Sequence, residues 1–132
     1  ILLSSRGSSI KIAVVPQTTQ RLVPSQNLIC FRPKEGYNPY FIKAFLESPV
    51  GMALLTINQT SSIVSFLNIR DIEDVEIPSL SMEEQERLGN EVKEADLEVQ
   101  KKMDQAKKEY LSKYQGIYTA MGLNPSFNPI EK

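Results

Sequence analysis

Apolar residues at helical spacing run through the last third of the sequence and constrain its fold more than any other feature. Ten apolar side chains recur at intervals of three or four residues. The interval averages about 3.7 residues, close to the α-helical period and to an eleven-residue repeat. It predicts one nearly straight helix over residues 82–121, about 60 Å long. The apolar positions are Leu88, Val92, Ala95, Val99, Met103, Ala106, Tyr110, Tyr114, Ile117 and Met121.

Local signals mark both ends of this predicted helix. Ser81 and Glu84 form an S-x-x-E capping box at its start, and Gly122 followed by Pro125 indicates its end. Gly89 and Gly116 lie inside it, and each is expected to cost about 1 kcal/mol relative to alanine.

The helix is too long for the rest of the chain to cover. A compact domain of this size has a radius of gyration of about 14 Å. We therefore expect the distal apolar stripe to be exposed and to pair with another helix. The alternative is a helix that breaks near Gly116 and folds back. The predicted helix-partner residues are Val99, Met103, Ala106, Tyr110, Tyr114, Ile117 and Met121.

Charge divides the chain into two unlike halves. Residues 1–70 carry seven basic and two acidic side chains, a net +5, and residues 71–132 carry eight basic and fourteen acidic ones, a net −6. A basic half favours a polyanionic partner. The alternative is that these charges are scattered without a function.

The residue types needed for most catalytic sites are scarce. The sequence has no His and one Cys, Cys30, which excludes His-based catalysis, Cys/His zinc sites and a disulfide framework. It has no glycine-rich phosphate loop. The acidic residues 71–76 are interpreted as a solvated turn rather than a magnesium nuclease site. We expect a non-enzymatic protein with no catalytic residue, no metal and no cofactor.

Composition also bears on location and completeness. No apolar run approaches the roughly 20 residues that a membrane-spanning helix needs, and a lone cysteine is typical of a reducing compartment. We therefore expect a cytoplasmic protein without a membrane partner. Because the sequence opens on Ile1 within an apolar run, it is interpreted as a fragment of a longer protein, with no signal peptide in view.

The first eighty residues predict a compact α+β unit. A hairpin over residues 1–15 and a third strand at 27–32 precede a helix that starts at Asn38-Pro39. A second short helix follows Ser48-Pro49. Two further strands are predicted at 63–66 and 75–77, with a helical turn between them. The predicted fold is a small mixed sheet with short helices at 1–80, a long helix at 81–122 and a tail at 123–132.

Basic and amide side chains on the predicted loops suggest contacts with DNA. Arginine and lysine bind phosphates, arginine pairs with guanine, and glutamine pairs with adenine in the major groove. Each of these residues alone is more often ordinary turn chemistry. The predicted DNA-binding residues are Arg6, Ser8, Ser9, Lys11, Arg21, Lys34, Gln59, Thr60 and Ser61.

Four segments follow one another along the chain: residues 1–15 (ILLSSRGSSIKIAVV), 38–51 (NPYFIKAFLESPVG), 59–72 (QTSSIVSFLNIRDI) and 77–88 (IPSLSMEEQERL). In this order they resemble the target recognition domains of DNA-specificity (S) subunits in prokaryotic type I restriction–modification systems. The last resembles the junction between a recognition domain and the long spacer helix. The resemblance covers residues 1 to about 122.

The resemblance implies a non-catalytic subunit that recognises double-stranded DNA. In this family two recognition domains each read half of a split site, and long antiparallel helices hold them apart and dock the methylation (M) and restriction (R) subunits. Only the C-terminal part of one recognition domain is visible here, so a half-length subunit that forms a homodimer through its helix is one expected arrangement. Two other interpretations remain open. One is the recognition domain of a single-chain adenine methyltransferase–endonuclease, and the other is a helical adaptor that contacts proteins rather than DNA.

Overall fold

The computed structural model describes residues 1–5, 9–16, 21–57 and 67–123. They form two compact units, the first comprising Ile1–Lys93 and the second beginning at Glu94. The long helix contributes its residues 82–93 to the first unit. None of the helices in this part of the chain is long and apolar enough to cross a lipid bilayer.

A three-stranded antiparallel sheet lies in the first unit. Its strands are β1 (Leu2–Ser4), β2 (Ile12–Ala13) and β3 (Leu28–Cys30), in the order β2-β1-β3. Leu3 lies opposite both Ile12 and Ile29, so these three side chains share the face that packs on the core. The predicted hairpin and third strand are thereby confirmed.

Two short helices follow, and each begins at the cap that the sequence indicates. Helix α1 spans Pro39–Glu47 and α2 spans Pro49–Thr56. Asn38 Oδ1 accepts hydrogen bonds from the Tyr40 and Phe41 amides at 2.9 and 3.2 Å. Ser48 ends α1, and its hydroxyl oxygen accepts from the Gly51 amide at 3.1 Å to start α2. These side chains satisfy amides that have no partner inside the helix.

One predicted strand is wrong. Residues 75–77 form no strand and pair with no strand among the described residues. Val75 and Ile77 nevertheless pack against the hydrophobic core. Their alternating apolar pattern therefore reflects burial of side chains rather than sheet pairing. The predicted strand at 63–66 lies outside the described residues.

The helical turn expected before this segment is α3 (Ile69–Glu73). It has a capping box, in which the Asn68 amide donates to Asp71 Oδ2 at 2.7 Å. Asp71, one of the residues in the predicted acidic turn, thus has a structural role at the start of α3.

The hydrophobic core lies between the sheet and the short helices. Four side chains in it are fully buried, and each contributes about 1.5–3 kcal/mol through the loss of apolar surface to water. These are Leu3, Leu46, Leu55 and Leu67.

The first turns of the long helix, α4 (Met82–Ala120), pack against the start of α1. The buried side chain of Gln85 accepts from the Asn38 amide at 3.2 Å and donates to the Leu80 carbonyl at 3.0 Å. One turn later, the buried Gly89 leaves space for the side chain of Asn38. A Cβ at Gly89 would lie 2.8 Å from Asn38 Nδ2 and closer still to Oδ1. Gly89 is therefore a point of close approach, whereas the second predicted weak point, Gly116, has open space around it.

Both predicted ends of α4 are confirmed. At its start, Ser81 Oγ accepts from the Glu84 amide at 3.2 Å, which is one half of the predicted capping box, whereas the Glu84 carboxylate accepts from Arg87 instead of from the Ser81 amide. At its end, Gly122 adopts a left-handed conformation with φ of 72°. The Leu123 amide donates to the Tyr118 carbonyl and the Gly122 amide to the Thr119 carbonyl, at 2.9 and 3.0 Å. These two bonds form a Schellman motif, which stops the helix.

Candidate functional site

The apolar seam of α4 is one candidate interaction surface of the described chain. We define the seam as the seven predicted helix-partner residues. All of them are exposed, and the six larger side chains have exposed fractions from 38% for Tyr114 to 68% for Met121. Their exposure is confirmed, while their partner stays a prediction. The seam consists of Val99, Met103, Ala106, Tyr110, Tyr114, Ile117 and Met121.

The spacing of the seam keeps it on one side of α4. Val99, Tyr110 and Met121 are eleven residues apart, as are Met103 and Tyr114. Eleven residues make three turns at 3.67 residues per turn, so a repeat of this length drifts little around a straight helix. The seam can therefore meet a second straight helix along its whole length.

Three tyrosines form a ladder on this part of α4. The ring centroids of Tyr110 and Tyr114 are 4.4 Å apart, and Tyr118 meets Tyr114 edge-on at 5.9 Å. A side-chain hydrogen bond with Tyr114 raises the pKa of Tyr110 above its ordinary value. The sequence reasoning missed Tyr118, although its four-residue spacing from Tyr114 was a usable signal.

Apart from the exposed Leu97, polar side chains cover most of the rest of the distal helix. Glu98 and Lys102 form an ion pair of 2.6 Å. Gln100 donates to Asp104, and Gln105 donates to Glu109, both at 3.0 Å. Such exposed one-turn pairs contribute a few tenths of a kcal/mol each. These polar side chains pair with one another, whereas no described apolar surface packs against the seam.

Two of the predicted DNA-binding residues lie at one end of the sheet, beside the hairpin turn. Ser9 and Lys11 are exposed. The hydroxyl of Ser4 accepts from the Lys11 amide at 2.8 Å, and the Ser4 amide donates to the Lys11 carbonyl at 2.9 Å. Ser4 thereby fixes the backbone from which the Lys11 side chain extends.

Two others lie elsewhere. Arg21 and Lys34 are exposed, but their neighbours Leu22 and Pro33 line a groove together with Ile1. Ile1 is at the opposite end of β1 from Ser4. The structure therefore separates the four described candidates into two pairs. The remaining five predicted DNA-binding residues lie outside the described residues and stay predictions: Arg6, Ser8, Gln59, Thr60 and Ser61.

The acidic residues near α3 do not gather into a metal site. Within residues 1–5, 9–16, 21–57 and 67–123, no group of three or more acidic or sulfur side chains is placed to hold a metal ion. Glu73, Asp74 and Glu76 are exposed, which agrees with the interpretation of this segment as a solvated turn.

Arg87 organises the charges at the start of α4. Its guanidinium lies 2.7 Å from Glu84 and 2.6 Å from Glu91. Hydrogen bonding to Arg87 lowers the pKa of Glu84, and both carboxylates raise the pKa of Arg87. All three side chains are exposed or half-buried, so this network contributes little to stability.

Comparison with known proteins gives no family assignment. No protein-family model matches the chain, and no curated protein sequence matches it.

Proposed function

We propose that this chain is part of a DNA-specificity subunit of a restriction–modification system. In this proposal the first unit contacts double-stranded DNA, and the seam of α4 pairs with another helix. Methylation and restriction belong to the partner M and R subunits. The observation that carries the proposal is the seam, because seven exposed apolar side chains on one helix face are typical of a surface that a partner covers.

A second copy of the chain is a suitable partner for the seam. The apolar positions are symmetric about Tyr110, since Val99 and Met121 are each eleven residues away and Met103 and Ile117 are each seven away. Two antiparallel copies centred on Tyr110 would place an apolar residue opposite another at each of these positions. The same arrangement brings Glu109 of one copy near Lys113 of the other, twice by symmetry. This pairing of opposite charges favours the antiparallel arrangement.

Sedimentation equilibrium tests the seam. We expect the wild-type chain to dimerise and Met103→Asp to be monomeric, because an aspartate in the seam would have to bury its charge. Ser112→Asp is the matched control, since residue 112 lies on the opposite side of the helix by its period. A wild-type chain that stays monomeric at high concentration, alone and with its parent subunits, would contradict the proposed role of the seam.

DNA binding is tested in the full-length parent protein by fluorescence anisotropy. Arg6→Ala and Gln59→Ala are expected to weaken sequence-specific binding by roughly 1–3 kcal/mol each. Lys11→Ala should weaken binding to specific and random duplexes alike, and lower the salt slope by about one unit. Lys108→Ala, on the distal helix, is the control. Affinity that does not change with salt concentration would argue against DNA recognition.

A helical adaptor without DNA binding is the second candidate. The observation that favours it is the position of Arg21 and Lys34, which flank an apolar groove rather than the hairpin turn. This candidate predicts that the chain shows no salt-dependent binding to duplex DNA. It also predicts that the seam alone carries the protein-binding activity. The single-chain methyltransferase–endonuclease alternative shares the DNA-binding unit, and it is distinguished by the domain that accompanies this chain in the parent protein.

A further inference from the structure

An apolar groove crosses the first unit at the end of the sheet marked by Ile1. Its volume is about 810 Å³, which is within the usual range of ligand sites. The floor includes Leu2, Leu28 and Cys30, which alternate with the core-facing residues of their strands and therefore lie on the outer face of the sheet. The segment from Leu22 to Pro24 forms one wall.

The groove is open to solvent although its lining is apolar. Leu22 is 58% exposed and Val23 is 81% exposed. Four of the lining residues are prolines, which restrict the backbone at these positions and so reduce the entropy lost on binding. Neighbouring apolar side chains left in water at a preformed concave surface indicate a binding site.

The charges at the groove are basic. Arg32 is its one charged lining residue, and Arg21 and Lys34 adjoin the lining residues Leu22 and Pro33. None of the three is ion-paired with another described residue. The one acidic residue close in sequence is Glu35. The groove therefore complements a ligand that carries apolar groups and negative charge together.

A protein segment can offer apolar groups and negative charge to this groove better than a nucleic acid can. Phosphates need cations and water over the whole contact, and pressing them against an apolar floor would cost solvation that nothing replaces. A peptide can place apolar side chains on the floor and carboxylates beside the cations of the rim. We infer that this groove binds a segment of a partner protein in which apolar and acidic side chains alternate. This inference does not depend on the proposed DNA recognition.

The test uses three fluorescein-labelled peptides of about ten residues, roughly 33 Å when extended. The first alternates leucine with glutamate, the second leucine with lysine, and the third serine with glutamate. Fluorescence anisotropy with the full chain should show binding of the leucine–glutamate peptide and at least about tenfold weaker binding of the other two, which is the factor expected for about 1.4 kcal/mol.

Two pairs of variants locate the binding. Val23→Asp should weaken the leucine–glutamate peptide about tenfold, since it places a like charge in the apolar wall. Val50→Asp, at a valine that is 62% exposed on α2, should have no effect. Arg32→Glu should likewise weaken binding, while Arg70→Glu should not. Because Val23 is 81% exposed, its replacement should leave the fold intact, and circular dichroism checks this.

Four outcomes would overturn the inference. They are no binding of the leucine–glutamate peptide up to about 1 mM, equal binding of the leucine–lysine peptide, equal loss in the Val50→Asp control, and displacement of the bound peptide by duplex DNA. The last would assign the groove to nucleic acid and would leave the proposed DNA recognition standing. Failure of duplex DNA to bind the parent protein would not affect the groove.

Discussion

Replacing Gly89 with alanine should destabilise the first unit, although this change stabilises most helices. The reason is the contact between Gly89 and Asn38, the residue that caps α1. A Cβ at position 89 would overlap the Asn38 side-chain amide. Asn38 must then turn away from the Tyr40 and Phe41 amides, or α4 must shift relative to α1.

The magnitude follows from three opposing effects. Alanine gains about 1 kcal/mol of helix propensity over glycine. Loss of the Asn38 cap costs about 1 kcal/mol, and overpacking at a buried contact costs about 1–3 kcal/mol. The net expectation for Gly89→Ala is a loss of about 1–3 kcal/mol. Gly116→Ala is the matched control, because nothing lies within 4 Å of its added Cβ, and it should gain about 1 kcal/mol.

Hydrogen exchange measured at single amides reports the stability of the first unit separately from that of the rest of α4. The readout is the Ile42 amide, which donates to the Asn38 carbonyl in the first turn of α1 at 3.1 Å. Its protection should fall in Gly89→Ala and stay unchanged in Gly116→Ala.

A double-mutant cycle then assigns the cause. In the Asn38→Ala background the overlap is absent, so Gly89→Ala should cost little or stabilise. Equal effects of Gly89→Ala in both backgrounds, or a wild-type-like Ile42 amide in the single variant, would refute the reasoning.

Three further predictions follow from the described contacts. Leu3→Ala should lower the free energy of unfolding in urea by about 2–5 kcal/mol because Leu3 is fully buried, whereas Leu22→Ala at an exposed site should change it by less than about 0.5 kcal/mol. Arg87 lowers the pKa of Glu84 in the folded chain, so the stabilisation from this pair is present above the pKa of the unfolded carboxyl and is lost as the pH falls through the folded pKa. Arg87→Gln should therefore return the Glu84 titration midpoint, followed by NMR, towards its ordinary value. Gly122→Ala should cost about 1 kcal/mol, measured as fraying of the last helical turn, because alanine disfavours a φ of 72°.

The parts of the fold that the sequence predicted well are set by local interactions. Asn38 before Pro39 and Ser48 before Pro49 cap helices through amides two or three residues away. All the groups that start each helix are therefore visible in a short stretch of sequence. The segment at 75–77 shows where such reasoning fails. Its apolar residues predicted a strand, but a strand also needs a neighbouring backbone that hydrogen-bonds to it, and none of the described strands pairs with this segment.

Gly89 and Gln85 illustrate what a local pattern cannot supply. Each is explained by contact with Asn38, more than forty residues earlier, and nothing near either residue indicates that contact. Gly89 was therefore predicted only as a weak point of the helix, and no contact was predicted for Gln85.

The candidate surfaces were predicted unequally for a related reason. Exposure of the seam was predicted because the helix is too long for a compact domain of this size to cover. The length of the helix and the number of residues are both known from the sequence. The groove was missed because residues 21–24 show neither helical nor strand periodicity. Arg21 and Lys34 were assigned to a DNA surface from their charge alone, and the sheet placed them at the end away from the hairpin turn.

The side chain of Gln85 joins two segments through chemically different ends. Its oxygen meets an N–H group and its nitrogen meets a carbonyl, so the contact has a direction. Glutamate has the same shape but only acceptors when ionised, and it would set one oxygen against the Leu80 carbonyl. Conversion of this one glutamine to glutamate would therefore loosen the joint between α1 and α4 without changing the size of any side chain.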